Sequence, residues 1–457
     1  MKFPQGPKAP GWSQKLQFMT NSLGYLETNA KLYGDIFTIE LDSRPTVFVS
    51  NPLGIQQIFS NKKEIIASGE VHRIFAPLIG TSGLMNLDGS PHRKRRKLLM
   101  PPFHGERMRA YGKLICHLAD KFIHQQVIHK PFLASEVMHN LSLEVLIEAV
   151  FGLHEGERAQ KLREILASLW KVKSLYNFCF FFPALQLDWG QRSPWGYFLH
   201  LVRQIDELLY AEINERRQQP NNSRVDILSL LISARDETGE SMTNQELRDE
   251  LLTLLVAGHE TTGTTMTWLL YWTHRESDVR NRLLQELDSL GDSPDPMSIF
   301  QLPYLTAVCN ESQRITPAGL AAAPRIVQAP VQVMNYELIP GTMLLACIYL
   351  THQREDIYPE PGKFKPERFF EQQFSSYEFL PFGGGVRRCI AEALAQFEMK
   401  LVLATILSRY QLTLVDPKPE KLQCRGATIT PSGGAKMMVI GRRERQGQLQ
   451  QLFDGLV

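Results

Sequence analysis

The sequence predicts a mainly α-helical fold with small β-sheets, and three observations support that class. Residues 34–50 alternate polar and apolar side chains, as a half-buried β-hairpin does. Short β-like segments return at about 325–349 and 422–441. Between these β-rich ends, apolar residues recur mostly at helical spacing. The sheets are therefore expected towards the two ends of the chain, with helices between them.

One helix is predicted to be long and central. Thr243 and Glu246 form a capping-box pattern, which marks a helix start, and the helical pattern continues to about His274. At 1.5 Å per residue this helix is about 45 Å long, enough to cross a whole domain. A last helix is predicted at about 391–410, after an irregular stretch rich in proline and phenylalanine at about 358–388.

Size and charge restrict the possible functions. The chain has 457 residues, of which 43% are hydrophobic, so it is large enough to bury an extensive core. No internal repeat or Ser/Gly-rich linker divides it, which predicts a single domain over 1–457, with a short N-terminal arm (about 1–30) and a C-terminal tail (about 442–457). The net charge of +2 gives no bulk electrostatic case for binding nucleic acid.

Cysteine usage and hydropathy indicate a soluble protein of the cytoplasm. The six cysteines are spread thinly and form no CxxC pair or zinc-like cluster, which fits a reducing compartment. The N-terminal segment has no apolar run long enough for a signal peptide. No segment has about 20 apolar residues without charges, so no integral membrane anchor is expected.

The strongest chemical signal is the segment FGGGVRRCIA at residues 382–391. Its three glycines permit backbone turns that other residues resist and allow close approach to a flat ligand. Cys389 precedes the last predicted helix, where free N–H groups and the helix dipole favour a thiolate, the form that binds soft metals. Arg387 and Arg388 add positive charge. Taken alone, such a cysteine is more often a buried free thiol beside a turn.

A second signal lies inside the long helix, in the segment AGHETT at residues 257–262. Gly258 in a helix interior costs roughly 0.5–1 kcal/mol relative to alanine, which suggests that something needs the space. Glu260 and Thr261 are polar residues in an otherwise apolar stretch. Threonine hydroxyls bond back to carbonyl groups a turn earlier and open a helix locally. The alternative is a helix with a few buried hydroxyl groups.

Residues 382–391, with the spacing F-x-x-G-x-R-x-C-x-A, closely resemble the haem-binding loop of the cytochrome P-450 superfamily. The resemblance extends over about residues 33–441 and implies the fold of that family, with the long helix above a haem b group. It implies that the Cys389 thiolate binds the iron and pushes electron density toward O–O cleavage. Phe382, Gly383 and Arg387 would contact the haem. The family's usual glycine two places after the cysteine is Ala391 here.

The segment at residues 257–262 is similar to the family's oxygen-activation motif. The resemblance implies that Thr261 holds dioxygen and a water molecule and that Glu260 relays protons from solvent, so these two are the expected catalytic residues. Gly258 would leave room for dioxygen and substrate, and Ala257 would lie against the haem.

Two further motifs occur at the family's distances. Glu311 and Arg314 lie on one helix face, which in an arbitrary protein indicates only a surface ion pair. With Arg368 of the PERF segment at residues 366–369, the resemblance implies a buried Glu311–Arg314–Arg368 network. Its role would be structural: it would lock the segment that presents Cys389.

The basic run at residues 92–97 is the last motif. Without the resemblance it is a solvated helix face. His92 and Arg96 share one helix face, and the family uses such an H-x-x-x-R pair to hold the haem propionates, a task that suits arginine. Arg387 and Arg325 match further propionate partners, Arg325 at an offset one residue longer than usual. Four cations would partly face outward and dock an acidic electron donor: Arg93, Lys94, Arg95 and Lys97.

The family's substrate-contacting regions are apolar in this chain. They comprise residues 71–78 (Val71, Ile74, Phe75 and Leu78), an aromatic cluster (Tyr176, Phe178, Phe180, Phe181 and Phe182), Val256, and the small residues 318–323. For the aromatic cluster, ordinary core packing is the alternative. A lipophilic substrate is therefore expected. The segments KLLMPPFHGERM and FEMKLVLATILSRYQL look most like cyanobacterial members, which are associated with fatty-acid, alkane and sesquiterpene hydroxylation, and we favour a sesquiterpene-like hydrocarbon.

The expected reaction inserts one oxygen atom of O2 into a C–H bond, and the other becomes water. The chain has no flavin or nicotinamide fingerprint, so electrons would come from NAD(P)H through a reductase and a ferredoxin. Two alternatives are an enzyme that uses peroxide or rearranges a hydroperoxide, and a non-enzymatic haem protein that senses or carries electrons. The Glu260–Thr261 pair argues against the first alternative, and a long helix with an oxygen-handling kink argues against the second.

Overall fold

The N-terminal part of the chain contains two helices, a hairpin and a third helix. The computed structural model describes residues 3–41, 44–61, 65–67, 69–103, 107–171, 179–180, 183–219 and 224–444. The elements up to residue 67 are α1 Gly11–Thr20, α2 Ser22–Tyr33, β1 Ile36–Glu40, β2 Pro45–Val49, α3 Pro52–Ser60 and β3 Ile65–Ala67. The predicted hairpin at residues 34–50 is confirmed, and two residues of its turn lie outside the described residues.

Helices dominate the next two hundred residues. The helices are α4 Ala76–Ile79, α5 Gly89–Leu99, α6 Arg107–His124, α7 Ala134–Phe151, α8 Glu157–Lys171, α9 Pro194–Gln218, α10 Ile227–Ser233 and α11 Asn244–Arg275, and one short strand, β4 Pro131–Leu133, lies before α7. Short 3-10 turns occur at Glu70–Phe75, Leu84–Asn86, Pro101–Phe103 and Pro183–Leu185. Within the described chain, no helix has a stretch both long and apolar enough to span a bilayer.

The C-terminal part alternates helices with short strands. Its elements are α12 Ser277–Asp288, α13 Pro296–Phe300, α14 Pro303–Ile315, β5 Arg325–Val327, β6 Val331–Val333, β7 Tyr336–Leu338, β8 Met343–Ala346, α15 Ile348–His352, α16 Arg368–Glu371, α17 Glu392–Arg409, β9 Tyr410–Leu414, β10 Leu422–Arg425, β11 Thr428–Pro431 and β12 Lys436–Arg442. The mainly α class with small sheets is confirmed, as is the last helix predicted at 391–410.

The strands form two sheets and two hairpins. The largest sheet has five strands in the order β1-β2-β8-β5-β3; β2 and β8 are parallel, and the other pairs are antiparallel. A second sheet has the order β4-β12-β9, and β6–β7 and β10–β11 are hairpins. Residues Val47, Val49, Val327, Leu344 and Ala346 of the larger sheet are buried in a core with Phe59 of α3. This sheet thus provides a rigid support for the segments that follow β5 and β8.

The chain divides into two compact units. The first comprises residues 1–67, 108–142 and 260–457, and the second comprises residues 68–107 and 143–259. All the sheets belong to the first unit. Because the division falls at residue 260, α11 contributes residues to both units.

The long helix begins as the sequence predicts. The backbone N–H of Thr243 donates to Glu246 Oε2 at 2.8 Å, and the N–H of Glu246 donates to Thr243 Oγ1 at 3.2 Å. This reciprocal pair satisfies two donors that would otherwise have no partner at the helix start. The helix then continues for 32 residues without interruption.

Candidate active site

The Cys389 loop is folded back on itself by backbone hydrogen bonds. The N–H of Cys389 donates to the carbonyl of Phe382 at 3.0 Å, and the N–H of Gly383 donates to Leu380 at 2.9 Å. The loop ends where α17 begins, at Glu392. Cys389 is exposed, and the residues next to it, Arg388 and Ile390, are half-buried. The loop therefore presents a thiol just before a helix N-terminus, the position in which the dipole favours a thiolate.

The glycines of this loop are needed for two different reasons. Gly383 and Gly385 have φ values of +68° and +63°, which side chains other than glycine resist. Gly384 has an extended backbone, but a Cβ there would lie 2.4 Å from Cε2 of Phe59. Two glycines thus set the turn, and the third lets α3 approach the loop.

The contact at Gly384 gives a first prediction. Gly384→Ala forces the Phe59 ring or the loop to move, so we expect it to lower the free energy of unfolding by about 1–3 kcal/mol and to reduce haem content. Urea denaturation and absorbance of the purified protein measure both. Gly362→Ala is the control, because a Cβ there has no atom within 4 Å. Equal stability of the two variants would contradict the steric argument.

Two arginines support the loop, Arg325 from β5 and Arg388 from within the loop itself. Arg325 is buried and donates to the carbonyl groups of Gly384 at 3.0 Å and Ala323 at 2.6 Å, with its guanidinium over the Phe59 ring at 5.3 Å. Arg388 pairs with Glu392 one turn along the chain, at 2.5 Å. Arg325 therefore holds the backbone of the loop, a contact that the sequence did not predict.

The predicted Glu311–Arg314–Arg368 network is confirmed. Glu311 and Arg314 have no exposed side-chain area; Arg314 Nε donates to Glu311 Oε2 at 2.8 Å, and Arg368 Nε donates to Oε1 at 3.1 Å. Lys365 adds its backbone N–H to Oε1 at 2.8 Å. The carboxylate of Glu311 thus ties α14 to α16 and to the chain just before α16.

His352 connects this network to the Cys389 loop and was missed by the sequence interpretation. Arg314 Nη1 donates to the His352 carbonyl at 2.9 Å, and the N–H of Leu380 donates to His352 Nε2 at 3.0 Å. Burial, with Arg314 nearby, lowers the pKa of His352 to about 3, so its ring is neutral and accepts at Nε2. No local pattern could reveal a histidine that acts through its carbonyl and one ring nitrogen.

The AGHETT motif at residues 257–262 lies in the middle of α11, and part of it is exposed. Ala257 and Thr261 lie one turn apart and are exposed, and Glu260 is half-buried, whereas the preceding residues 247–255 are buried. The expected back-bonding of threonine hydroxyls occurs at Thr265, which donates to the Thr261 carbonyl at 2.9 Å. It does not break the helix.

Gly258 lies against helix α7. A Cβ there would lie 3.2 Å from Cδ2 of Leu146 on α7. Close packing of α7 against α11 therefore favours glycine at this position. Gly263 serves the same purpose further along, because a Cβ there would lie 2.9 Å from the Cα of His139.

Helix α5 carries the basic run, and one of its residues lies where it was not expected. His92 is buried, Arg96 is half-buried, and Arg93, Lys94 and Lys97 are exposed as predicted. Arg95, predicted to face outward, is buried: its Nη1 donates to Glu250 at 2.9 Å and to the Ser82 carbonyl at 3.0 Å, and it pairs with Glu246. The reason is helical spacing, which puts Arg95 on the buried face that also carries His92 and Leu99.

Comparison with known proteins supports what the loop, the network and α11 indicate. The family model described as Cytochrome P450 matches residues 4–438. The chain belongs to the cytochrome P450 family. A relative from Mycobacterium tuberculosis, which carries the provisional name cytochrome P450 135B1, is 32% identical over 457 residues, covering 100% of this chain and 95% of the relative. A second from that species, provisionally named cytochrome P450 138, is 30% identical over 445 residues and covers 97% of each chain.

Solved P450 structures have the same fold. A cyanobacterial P450, CYP120A1 with retinoic acid bound, superimposes with a TM-score of 0.85 at 24% identity, covering 96% of this chain and 99% of that one. The haem domain of cytochrome P450DA gives a TM-score of 0.84 at 19% identity and covers 98% of each chain. This P450 is a haem-thiolate monooxygenase with haem b as its cofactor.

Of the six cysteines of this P450, Cys389 is the one suited to bind a haem iron as a thiolate. All six lie in described parts of the chain, and Cys389 alone is exposed. Burial raises the pKa of Cys309 and of Cys347 to about 12, so both stay protonated thiols. Cys389 has the glycine-rich approach, the accessible sulfur and the helix start that a thiolate ligand requires.

The apolar residues expected to contact substrate have different environments. Phe180 is buried and packs against Phe75, Trp195 and Phe198, with ring centroids 5.4–5.5 Å apart. It is therefore core, the alternative considered for the aromatic cluster, whose other four members lie outside the described residues. By contrast, Val71, Ile74 and Phe75 are half-buried, and residues 318–323 are half-buried except Leu320 and Ala322.

Proposed function

We propose that this P450 hydroxylates a lipophilic small molecule, a sesquiterpene-like hydrocarbon in preference to a fatty acid or alkane. The observation that carries the proposal is the chemistry of residues 318–323, which are all apolar and mostly small, and four of which are half-buried. A pocket wall of this kind binds through apolar contact and offers no charge to anchor a polar group. A solved P450 of the same fold holds retinoic acid, so this fold accommodates lipophilic molecules.

The remaining site residues have proposed roles on the haem and at the reacting atoms. The haem, when bound through Cys389, supplies the activation of dioxygen. Thr261 positions dioxygen and a water molecule, and Glu260 passes protons from solvent. His92, Arg96, Arg387 and Arg325 would hold the haem propionates, and Phe382, Gly383 and Ala257 would lie against the ring.

Electrons come, in this proposal, from NAD(P)H through a reductase and a ferredoxin in the cytoplasm. The exposed cations of α5, which are Arg93, Lys94 and Lys97, suit an acidic donor. Charge of this kind accelerates encounter at low salt and loses its effect as salt rises. The number of cations is one smaller than the sequence suggested, because Arg95 is buried.

The substrate class is tested by titrating the ferric protein with a sesquiterpene, an alkane and a fatty acid and recording the haem absorption shift. We expect the hydrocarbons to give the larger shift at lower concentration. A shift with the fatty acid alone would contradict the preference for a hydrocarbon.

The reaction is tested by reconstitution with ferredoxin, reductase and NADPH. We expect substrate-dependent NADPH consumption with one hydroxylated product. Turnover with peroxide alone, and none with the ferredoxin system, would favour the peroxide-using alternative. Haem absorption shifts without any turnover would favour a non-enzymatic role.

A further inference from the structure

The first half of α11 carries a row of polar side chains to which the proposed reaction assigns no role. Glu246, Glu250 and Thr253 follow one another at i+4 and i+3 spacing, so they lie on one helix face. The side chain of Glu246 is 30% exposed and that of Glu250 is 0% exposed. Thr253 is buried as well. The row therefore runs from solvent into the interior.

Arg95 holds the outer part of the row. It pairs with Glu246 and donates from Nη1 to Glu250 Oε1 at 2.9 Å. The two carboxyl groups thus share one guanidinium, and Arg95 contacts Glu250 through Oε1, which leaves Oε2 for another partner.

Two polar atoms of the row have no hydrogen-bond partner in the described part of the chain. They are Glu250 Oε2 and Thr253 Oγ1, and both are buried. Gly83 lies against the second atom, since a Cβ there would be 2.6 Å from Thr253 Oγ1. Buried polar atoms in proteins are nearly always satisfied, by ordered water where no protein group is available. Two such atoms one turn apart indicate a bound water site between them.

Several neighbouring groups shift the pKa of Glu250 in opposite directions. Burial raises its pKa to about 7, while Arg95 of α5 and the backbone N–H of Leu84 act in the opposite direction and Asp249 of its own helix raises the pKa further. A group with its pKa near the ambient pH both releases and regains a proton readily. Arg95 remains in place to stabilise the carboxylate after the proton leaves.

We propose that Glu250, with Thr253, is a positioning residue that supplies protons from solvent at Glu246 to the Glu260–Thr261 pair. The inference rests on the proposed monooxygenase chemistry of that pair. Ala257 follows Thr253 at i+4, and Glu260 and Thr261 follow Ala257 at i+3 and i+4, so the row stays on one face of α11. Glu250 and Glu260 are ten residues and about 15 Å apart along the axis, a distance that water molecules must bridge.

The proton balance is simple. The carboxylic acid O–H of Glu250 breaks, and the proton passes to water beside Thr253 and onward to Glu260. A proton from solvent, entering at Glu246, restores the acid, and no electron moves in either step.

Glu250→Gln in the haem-loaded protein tests the proposal, because glutamine still accepts from Arg95 but carries no transferable proton. We expect an unchanged carbon-monoxide spectrum, product per NADPH reduced by up to about 100-fold, a larger solvent isotope effect and loss of the pH dependence near 7. Thr253→Val should act in the same direction and Thr253→Ser should restore function. Asp206→Asn is the control: this carboxylate also pairs with a buried arginine, Arg248, but lies on α9 outside the row.

A measurement without turnover separates this inference from the proposed function. The infrared C=O band of a protonated carboxyl group should titrate near pH 7 in the ferric wild-type protein and be missing in Glu250→Gln. If Glu250→Gln has the same product per NADPH, the same solvent isotope effect and the same pH profile as the wild-type protein, the inference is overturned and the monooxygenase proposal stays intact. A wild-type protein that forms no hydroxylated product would overturn the proposed function, and absence of the infrared band would then overturn the inference independently.

Discussion

Cys389→Ser is expected to abolish the reduced carbon-monoxide absorption band by which haem-thiolate proteins are recognised, together with hydroxylation. The iron ligand must be a thiolate, and a serine hydroxyl is far less acidic than a thiol and a harder ligand. The loop itself should persist, because its closing bond to the Phe382 carbonyl comes from the backbone N–H of residue 389. The effect is therefore on ligation rather than on folding.

The measurement is the reduced carbon-monoxide difference spectrum, with circular dichroism as the check on folding. Cys424→Ser is the matched control, since Cys424 is a half-buried thiol on β10 away from the glycine-rich loop. It should keep the full band. A band of normal intensity in Cys389→Ser would show that another group binds the iron and would end the haem-thiolate assignment of this residue.

Features whose cause is local were predictable from the sequence. The capping box needs only Thr243 and Glu246, three residues apart, and the hairpin at residues 34–50 needs only the alternation of its side chains. The turn of the Cys389 loop follows from glycines at positions with positive φ. The buried network was predictable only through family resemblance, because spacing alone cannot separate a buried pair from an exposed one.

Features that depend on a distant partner were not predictable. Arg95 looked like part of a solvated basic run until Glu246 and Glu250 of α11 were seen to lie against it. The packing of Gly258 against Leu146 was likewise not visible in the sequence. In each case the contact that matters is made by a side chain more than 100 positions away in the chain.

Glu311→Ala is expected to lower the free energy of unfolding by about 3–5 kcal/mol, because it leaves two buried guanidinium groups without their carboxylate. Arg314 has 0% and Arg368 has 7% of its side chain exposed, so water cannot replace the lost oxygens. Arg314 also holds the His352 carbonyl, and His352 accepts from Leu380 just before the Cys389 loop. The variant should therefore lose haem more readily as well as unfold at lower denaturant concentration.

Glu157→Ala provides the matched comparison for this prediction. Glu157 pairs with Lys161 at 3.1 Å, but 85% and 59% of the two side chains are exposed, so its loss should cost less than about 1 kcal/mol. Urea midpoints and the rate of haem transfer to an acceptor protein measure both effects. If Glu311→Ala costs no more than Glu157→Ala, the buried network is not what secures the chain before α16. If it destabilises but retains haem normally, the link through His352 does not support the Cys389 loop.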